Sequence, residues 1–169
     1  MDTQNYLTNH FLIAMPSLMD GNFSRTVTYI CEHDENGALG ITINKPSDIQ
    51  LGEVFAQLDI QPVNPLIAEQ FVFLGGPVHV DRGFLLHTPH GDWESSLKVT
   101  DSIAITTSRD ILQGIANDEG PDQVIIALGY AGWGPGQLEY EMSENAWLSC
   151  PASEEIIFNT PVEKRWDAA

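Results

Sequence analysis

The stretch Gly129-Tyr130-Ala131-Gly132-Trp133-Gly134-Pro135-Gly136 holds the residue types most open to a chemical reading. Glycines let backbone N–H groups approach a ligand closely, and a helix that begins just after such a loop favours negative charge at its start. Gly132, Trp133, Gly134 and Gly136 are therefore candidate contacts for an anion, with Arg25, Arg82 and Arg109 as the cations that could fold over it. The spacing matches neither G-x-G-x-x-G nor a loop ending in G-K-[ST]. From Asp110 to Glu163 the chain carries many carboxylates and no Lys or Arg, which opposes a phosphate there. The competing reading is a tight strand-to-helix connection with Trp133 packed in the core.

Other constellations are thinner. His87, His90 and Asp92 could form a metal cluster joined by His33 and Asp34, but no H-E-x-x-H or paired C-x-x-C is present, and solvated loop histidines are the simpler expectation. Cys31 and His33 are two apart in a strand-like run, too far for a direct hydrogen bond, so Cys31 reads as a core residue on the face of Val27 and Tyr29. Ser24 and Ser108 lack a G-x-S-x-G elbow or an evident base. Glu154 and Glu155 fit a helix's first turn. Among Trp93, Trp133, Trp147 and Trp166, the pair Arg165-Trp166 is the best candidate for an exposed anchor, against a helix end docked on the core. No motif calls for a cofactor or a metal.

These residues must be positioned by elements that the pattern outlines. A strand is expected over residues 10–15, closed by Pro16, and a hairpin from Arg25–His33 to Leu39–Ile43 around Asn36-Gly37. Ser47 or Asp48 should cap a helix carrying Leu51, Val54, Phe55 and Leu58, with irregular chain at Pro62 and Pro65. Phe71–Leu74 reads as a strand. Asp81-Arg82-Gly83 reads as a hairpin-type turn before a strand Phe84–His87, and residues 88–95 as loop. A strand Ile103–Thr107 and a Ser108-capped helix Arg109–Ala116 precede Val124–Leu128, a continuous apolar run suited to a central strand. The glycine loop, a helix from about Gln137 and a capped helical tail over 161–168 complete the pattern. The result is one α+β domain, residues 1–169, with a mixed sheet.

Composition narrows the function. With 169 residues, 24 acidic and 7 basic, the formal charge is −17. A duplex-DNA binder gains most of its affinity by neutralising phosphates, so direct DNA binding is disfavoured. The same field opposes anionic membrane surfaces, and no apolar stretch is long enough to span a bilayer. The N-terminus shows no export signal, so the expected compartment is the cytoplasm, where Cys31 and Cys150 stay reduced.

The run from His10 to Pro46 resembles the opening block of the bacterial YqgE/AlgH family. Further blocks follow in order: Gly75–Val78, Arg82–Phe84, Thr107–Asp110, Gly129–Glu139, Asn145–Leu148, and Phe158–Pro161 through Arg165-Trp166. The resemblance spans nearly the whole chain. It implies an α+β fold with a branched mixed sheet, partly closed as a small barrel and flanked by helices, in a bacterial cytosolic protein with a regulatory role in transcription. It implies no catalytic residues. Two positions depart from the family pattern, Asn159 in place of Asp and Tyr140 in place of a polar residue. The reading that results is a protein- or ligand-binding domain acting on transcription indirectly; the alternative is a metabolite-binding protein or enzyme with Gly132–Gly136 as its anion site.

Overall fold

The computed structural model describes residues 7–14, 26–88, 93–107, 109–144, 147–160 and 165. Ten strands form one curled, largely antiparallel sheet: β1 (His10–Ala14), β2 (Val27–Asp34), β3 (Gly37–Thr42), β4 (Pro46–Gln50), β5 (Phe71–Leu74), β6 (Val78–Thr88), β7 (Ser96–Lys98), β8 (Ala104–Thr106), β9 (Gln123–Trp133) and β10 (Trp147–Pro151). The main path runs β10-β1-β2-β3-β9-β6-β8-β7, and β5 branches from β9 as its parallel neighbour, with β4 outside it. Among the described residues four short helices cover the sheet, α1 (Leu51–Gln57), α2 (Pro65–Ala68), α3 (Arg109–Ala116) and α4 (Gln137–Ser143), with a π-helical turn over Glu155–Asn159. The architecture is α+β but dominated by strands.

The Asn36-Gly37 hairpin forms as expected, pairing Asp34 with Gly37 at its tip. Gly37 sits at φ 131° and the Asp34 carboxylate accepts from the Asn36 N–H at 2.8 Å, the Asx pattern that stabilises such turns. Cys31 lies in the core with Val27 and Tyr29, as the alternation requires.

Four expectations are corrected. Ser47 and Asp48 do not cap a helix; they lie in β4, because Phe71–Leu74 offers a pairing edge and the Ser47 hydroxyl donates to the Val72 carbonyl at 2.7 Å. The helix starts at Leu51, where the Glu53 carboxylate accepts from the Gln50 N–H at 2.9 Å. Pro65 opens a helical turn rather than irregular chain, since Asn64 accepts from the Leu66 N–H and proline is tolerated in a first turn. Asp81-Arg82-Gly83 is no turn: all three belong to the eleven-residue β6, whose register against β9 shifts between Val78 and Gly83. Gly129–Trp133 is strand, because β3 pairs with Gly132 and Trp133 and converts most of the expected glycine loop into ladder. β7 and β10 have no counterpart in the sequence reading. Ser108 and the tail 161–168 lie outside the described residues, apart from Arg165, which is helical.

Three apolar clusters fill the fold. One lies inside the curled sheet around Phe11, Tyr29, Ile41, Phe84 and Leu86. A second lies under α1 and α3, around Leu51, Phe55, Leu85 and Ile111. The third lies under α4, where the Trp133 and Trp147 rings meet edge to face at 6.2 Å and both indole N–H groups donate to one Glu141 oxygen at 3.0 Å. Burying each large side chain contributes roughly 1.5–3 kcal/mol.

Two tests follow from the core. A Cβ on Gly76 would lie 2.1 Å from the Tyr130 carbonyl carbon, a contact with backbone that cannot yield, whereas one on Gly134 would meet only the Gln137 side chain at 3.8 Å. Urea denaturation should show Gly76→Ala losing at least ~2 kcal/mol and Gly134→Ala changing by no more than ~0.5 kcal/mol. Equal costs would mean that the connection between β5 and β6 does not approach β9 as described. The second test concerns the buried ionisable groups. Burial, with Glu32 nearby, holds the Cys31 thiol protonated well above the ordinary thiol range, and burial with Cys31 and Glu154 does the same for Tyr29. Both groups keep their protons in the folded state while the unfolded chain loses them from about pH 8.5 and 10. Stability is therefore full below about pH 8.5 and falls as pH rises, by up to about 1.4 kcal/mol per pH unit for each group. Cys31→Ala should flatten the decline between roughly pH 8.5 and 10, read by denaturation at stepped pH; an unchanged slope would show that Cys31 ionises normally.

Candidate functional site

The structure divides the sequence's site candidates between two separate pockets. One, a cleft of about 470 Å³, opens between α1, α3 and β6. Ile49 and Val54 reach it from β4 and α1, Leu58 from just beyond α1, Val80 and Arg82 from β6, and Arg109 and Leu112 from α3. Each position has a local cause. The β6 register shift places Arg82 in the cleft wall, and Arg109 is the first residue of α3, whose Ile111 and Leu112 anchor it to the core. Arg109 donates from Nη2 to the Leu58 carbonyl at 2.6 Å, which ties the two helices together across the cleft. The Arg82 guanidinium lies 5.8 Å from the Phe84 ring centroid, within cation–π range. Among the described lining residues Glu53 is the one carboxylate, and it is engaged at the start of α1. An apolar body with an anionic group is the chemistry that such walls accommodate.

Elsewhere, the glycine-containing turn has its Gly134 donor engaged. The Gly134 N–H donates to the Gln137 side-chain carbonyl at 2.9 Å, and the Gln137 N–H returns to the Gly134 carbonyl at 3.1 Å. Gly136 takes φ 75°, the left-handed conformation that a turn into α4 requires. The neighbouring groove is lined by Glu32 and Asp34 together with Gly132 and Trp133. Arg82 and Arg109 thus come together with each other in the α1/α3 cleft, whose lining includes none of Gly132, Trp133, Gly134 and Gly136. Arg25 lies outside the described residues, as do His90, Asp92, Ser24 and Trp166.

The histidines also differ from expectation. His33 is buried rather than a solvated loop residue: Nδ1 accepts from the Leu7 N–H at 2.9 Å and Nε2 lies 3.4 Å from Glu139, joining α4 to the hairpin. His87 is fully buried in β6, with Nε2 2.7 Å from the Thr106 hydroxyl. Among the described residues no group of three or more His, Cys, Asp or Glu could hold a metal ion. Arg165 is docked on the core instead of exposed, donating to the Ile43 and Thr160 carbonyls over the Phe73 ring. Sequence reasoning missed the cleft's apolar lining and the His87 network. Strand alternation from Leu85 to His87 carried the second signal, since it puts the imidazole on the face that α3 covers.

Comparison with known proteins fits this picture. The model of the AlgH-like family matches residues 11–169. A UPF0301 protein of Nitrosococcus oceani is 54% identical over 169 residues, covering 100% of this chain and 90% of that one, and a Vibrio cholerae UPF0301 protein is 52% identical over 96% and 89%. Among solved structures, the AlgH protein from Pseudomonas aeruginosa superposes with a TM-score of 0.86 at 47% identity, covering 99% of this chain and 89% of its own. A Corynebacterium diphtheriae protein at 19% identity and TM-score 0.73, covering 99% and 87%, shares the fold. A family model matching nearly the whole length, relatives above half identity and a near-complete superposition agree, and the chain belongs to the AlgH-like family.

Proposed function

We propose that this protein acts by binding a small organic anion with an apolar body in the α1/α3/β6 cleft, and that any effect on transcription is indirect. One observation carries the reading: a chain of net charge −17 with seven basic residues places two of them, Arg82 and Arg109, on one largely apolar cleft. Placed at random on so acidic a surface, cations would meet carboxylates; here they border Val80, Leu112 and Leu128. The volume lies within the usual range for small-ligand sites, roughly 300–1,000 Å³. Direct reading of DNA remains disfavoured, because the net field repels a duplex before any contact forms. The glycine turn is the weaker anion site, since its Gly134 donor is engaged and the adjacent groove presents Glu32 and Asp34.

The probes are octanoate and its neutral counterpart octanamide, compared by thermal shift and calorimetry. At about 100 times its dissociation constant a native-state ligand adds ~2.7 kcal/mol, which moves the melting midpoint of a chain this size by several degrees. Octanoate should give a saturable shift and octanamide little. Arg82→Ala removes an exposed cation without opening the core and should weaken octanoate about tenfold, the loss of one charge-assisted contact of ~1.4 kcal/mol. Equal binding of the amide, or full affinity in the folded Arg82→Ala protein, would defeat the reading.

A further inference from the structure

Three side chains outside the cleft form a hydroxyl chain from the surface to the interior. Ser96, exposed on β7, has its Oγ 2.6 Å from the Thr106 Oγ1, and that oxygen lies 2.7 Å from His87 Nε2. Thr106 and His87 are fully buried. The strand register explains the first contact. Ser96 pairs with Thr106, while the backbone bonds from Thr107 N–H to Ser95 and from Val99 N–H to Ile103 mark the flanking pairs as the hydrogen-bonded ones. Ser96 and Thr106 are thus a non-hydrogen-bonded pair, in which side chains stand closest and the backbone N–H points away from the partner strand. β7 ends the sheet, so among the described residues the Ser96 N–H faces an unpaired edge.

We infer that Ser96 is a nucleophilic hydroxyl, with Thr106 and His87 as the relay that takes its proton, and that it accepts acyl groups from neutral carboxylic esters. The arrangement supplies what an activated serine needs: an accessible oxygen, a base reached through hydrogen bonds, and a donor for the oxyanion. Here the base acts through an intervening hydroxyl, which gives one proton to His87 as it receives another from Ser96. Ser96 Oγ bonds to the ester carbonyl carbon, and the resulting oxyanion sits at the Ser96 N–H. The carbon–oxygen bond to the alcohol then breaks. The leaving oxygen takes its proton from the Thr106 hydroxyl, which recovers one from His87, so the relay ends as it began. The products are acyl-Ser96 and the alcohol.

The surroundings select the substrate. Ser96 and Thr106 pair on the sheet face of Leu85, and Glu94 stands two residues from Ser96 on a chain of net charge −17. That acidic surface favours an uncharged acyl ester over an anionic one. The inference is independent of the proposed ligand in the α1/α3 cleft.

The test is incubation of the full chain with p-nitrophenyl acetate, following p-nitrophenolate release and mapping the acetyl group by peptide mass spectrometry. Acetylation should fall on Ser96 in the folded protein, be absent in urea and vanish in Ser96→Ala. Thr106→Val keeps the side-chain shape without the hydroxyl and should slow labelling at least tenfold, while Thr106→Ser should restore it, a rescue that a merely structural threonine would not give. No acetyl group on Ser96 in the folded wild type, equal labelling in urea, or wild-type speed in folded Thr106→Val would each overturn the inference. Should Thr106→Val fail to fold, the folded-against-urea comparison at Ser96 decides alone.

Discussion

Strand β9 has to change neighbours partway along its length, and the backbone contacts that let it do so are the constraint on which the sheet depends. At Ala127 and Leu128 it is flanked by β5 on one side and β6 on the other. From Ala131 onward β3 takes the place of β5. The gap at the fork is closed by Gly75, whose N–H donates to the Leu128 carbonyl and whose own carbonyl accepts from the Thr42 N–H, both at 2.8 Å. Gly129 takes φ 78° at the same level, and a Cβ there would lie 2.4 Å from the Gly76 carbonyl oxygen. Backbone meets backbone throughout this region, which only glycine permits. A fork without those contacts would leave buried N–H and carbonyl groups unpaired, at a cost of about 1–3 kcal/mol each.

The position of the cleft follows from the fork. Strand β6 must follow β9 past the point where β9 turns, and its register slips between Val78 and Gly83 to do so. That slip carries Val80 and Arg82 into the cleft wall, opposite the helices that cover Leu85 and Ile126. Thr106 and Thr107 then separate the two proposed chemistries by one residue. Thr106 points to His87 and Ser96, while Thr107 lines the cleft and ties its N–H to the Ser95 carbonyl. The end of β8 thus lies between the two proposed sites.

Local signals in the sequence were strong where one physical cause acted alone. The Asn36-Gly37 hairpin, α3 and the apolar run of β9 each follow from turn chemistry or periodicity and form where expected. Elements governed by distant partners were not legible. Pro46–Gln50 carries helix-cap residues, yet it pairs with Phe71–Leu74, more than twenty residues away. Asp81-Arg82-Gly83 has turn composition, yet β9 holds it extended. Gly129–Trp133 has the composition of a loop because the fork needs glycine, so a fold requirement imitated a ligand motif. The site was readable only in fragments: Arg82 and Arg109 could be named as the candidate cations, but not that they line a pocket without the glycines, since that depends on how β6, α1 and α3 pack.

Electrostatics gives the last constraint. Among the described residues, Arg165 is committed to the Ile43 and Thr160 carbonyls, which leaves few cations to offset an acidic surface. At long range an anion approaching this protein is repelled; at short range, within the cleft, Arg82 and Arg109 attract it. Salt screens the first effect more than the second, because exposed charges beyond a Debye length of about 8–10 Å are largely screened whereas contacts inside a partly apolar cleft are not. Association with a small anion should therefore be least opposed at physiological ionic strength or above, the reverse of what a basic nucleic-acid binder shows. Such a field rejects polyanions, which cannot enter the cleft and meet the surface charge along their whole length. On the proposed reading a compact monoanion escapes that penalty by placing its charge in the cleft that Arg82 and Arg109 line. On that reading the strong negative charge and the pair of arginines act together, the first opposing nucleic acid and the second admitting a small ligand.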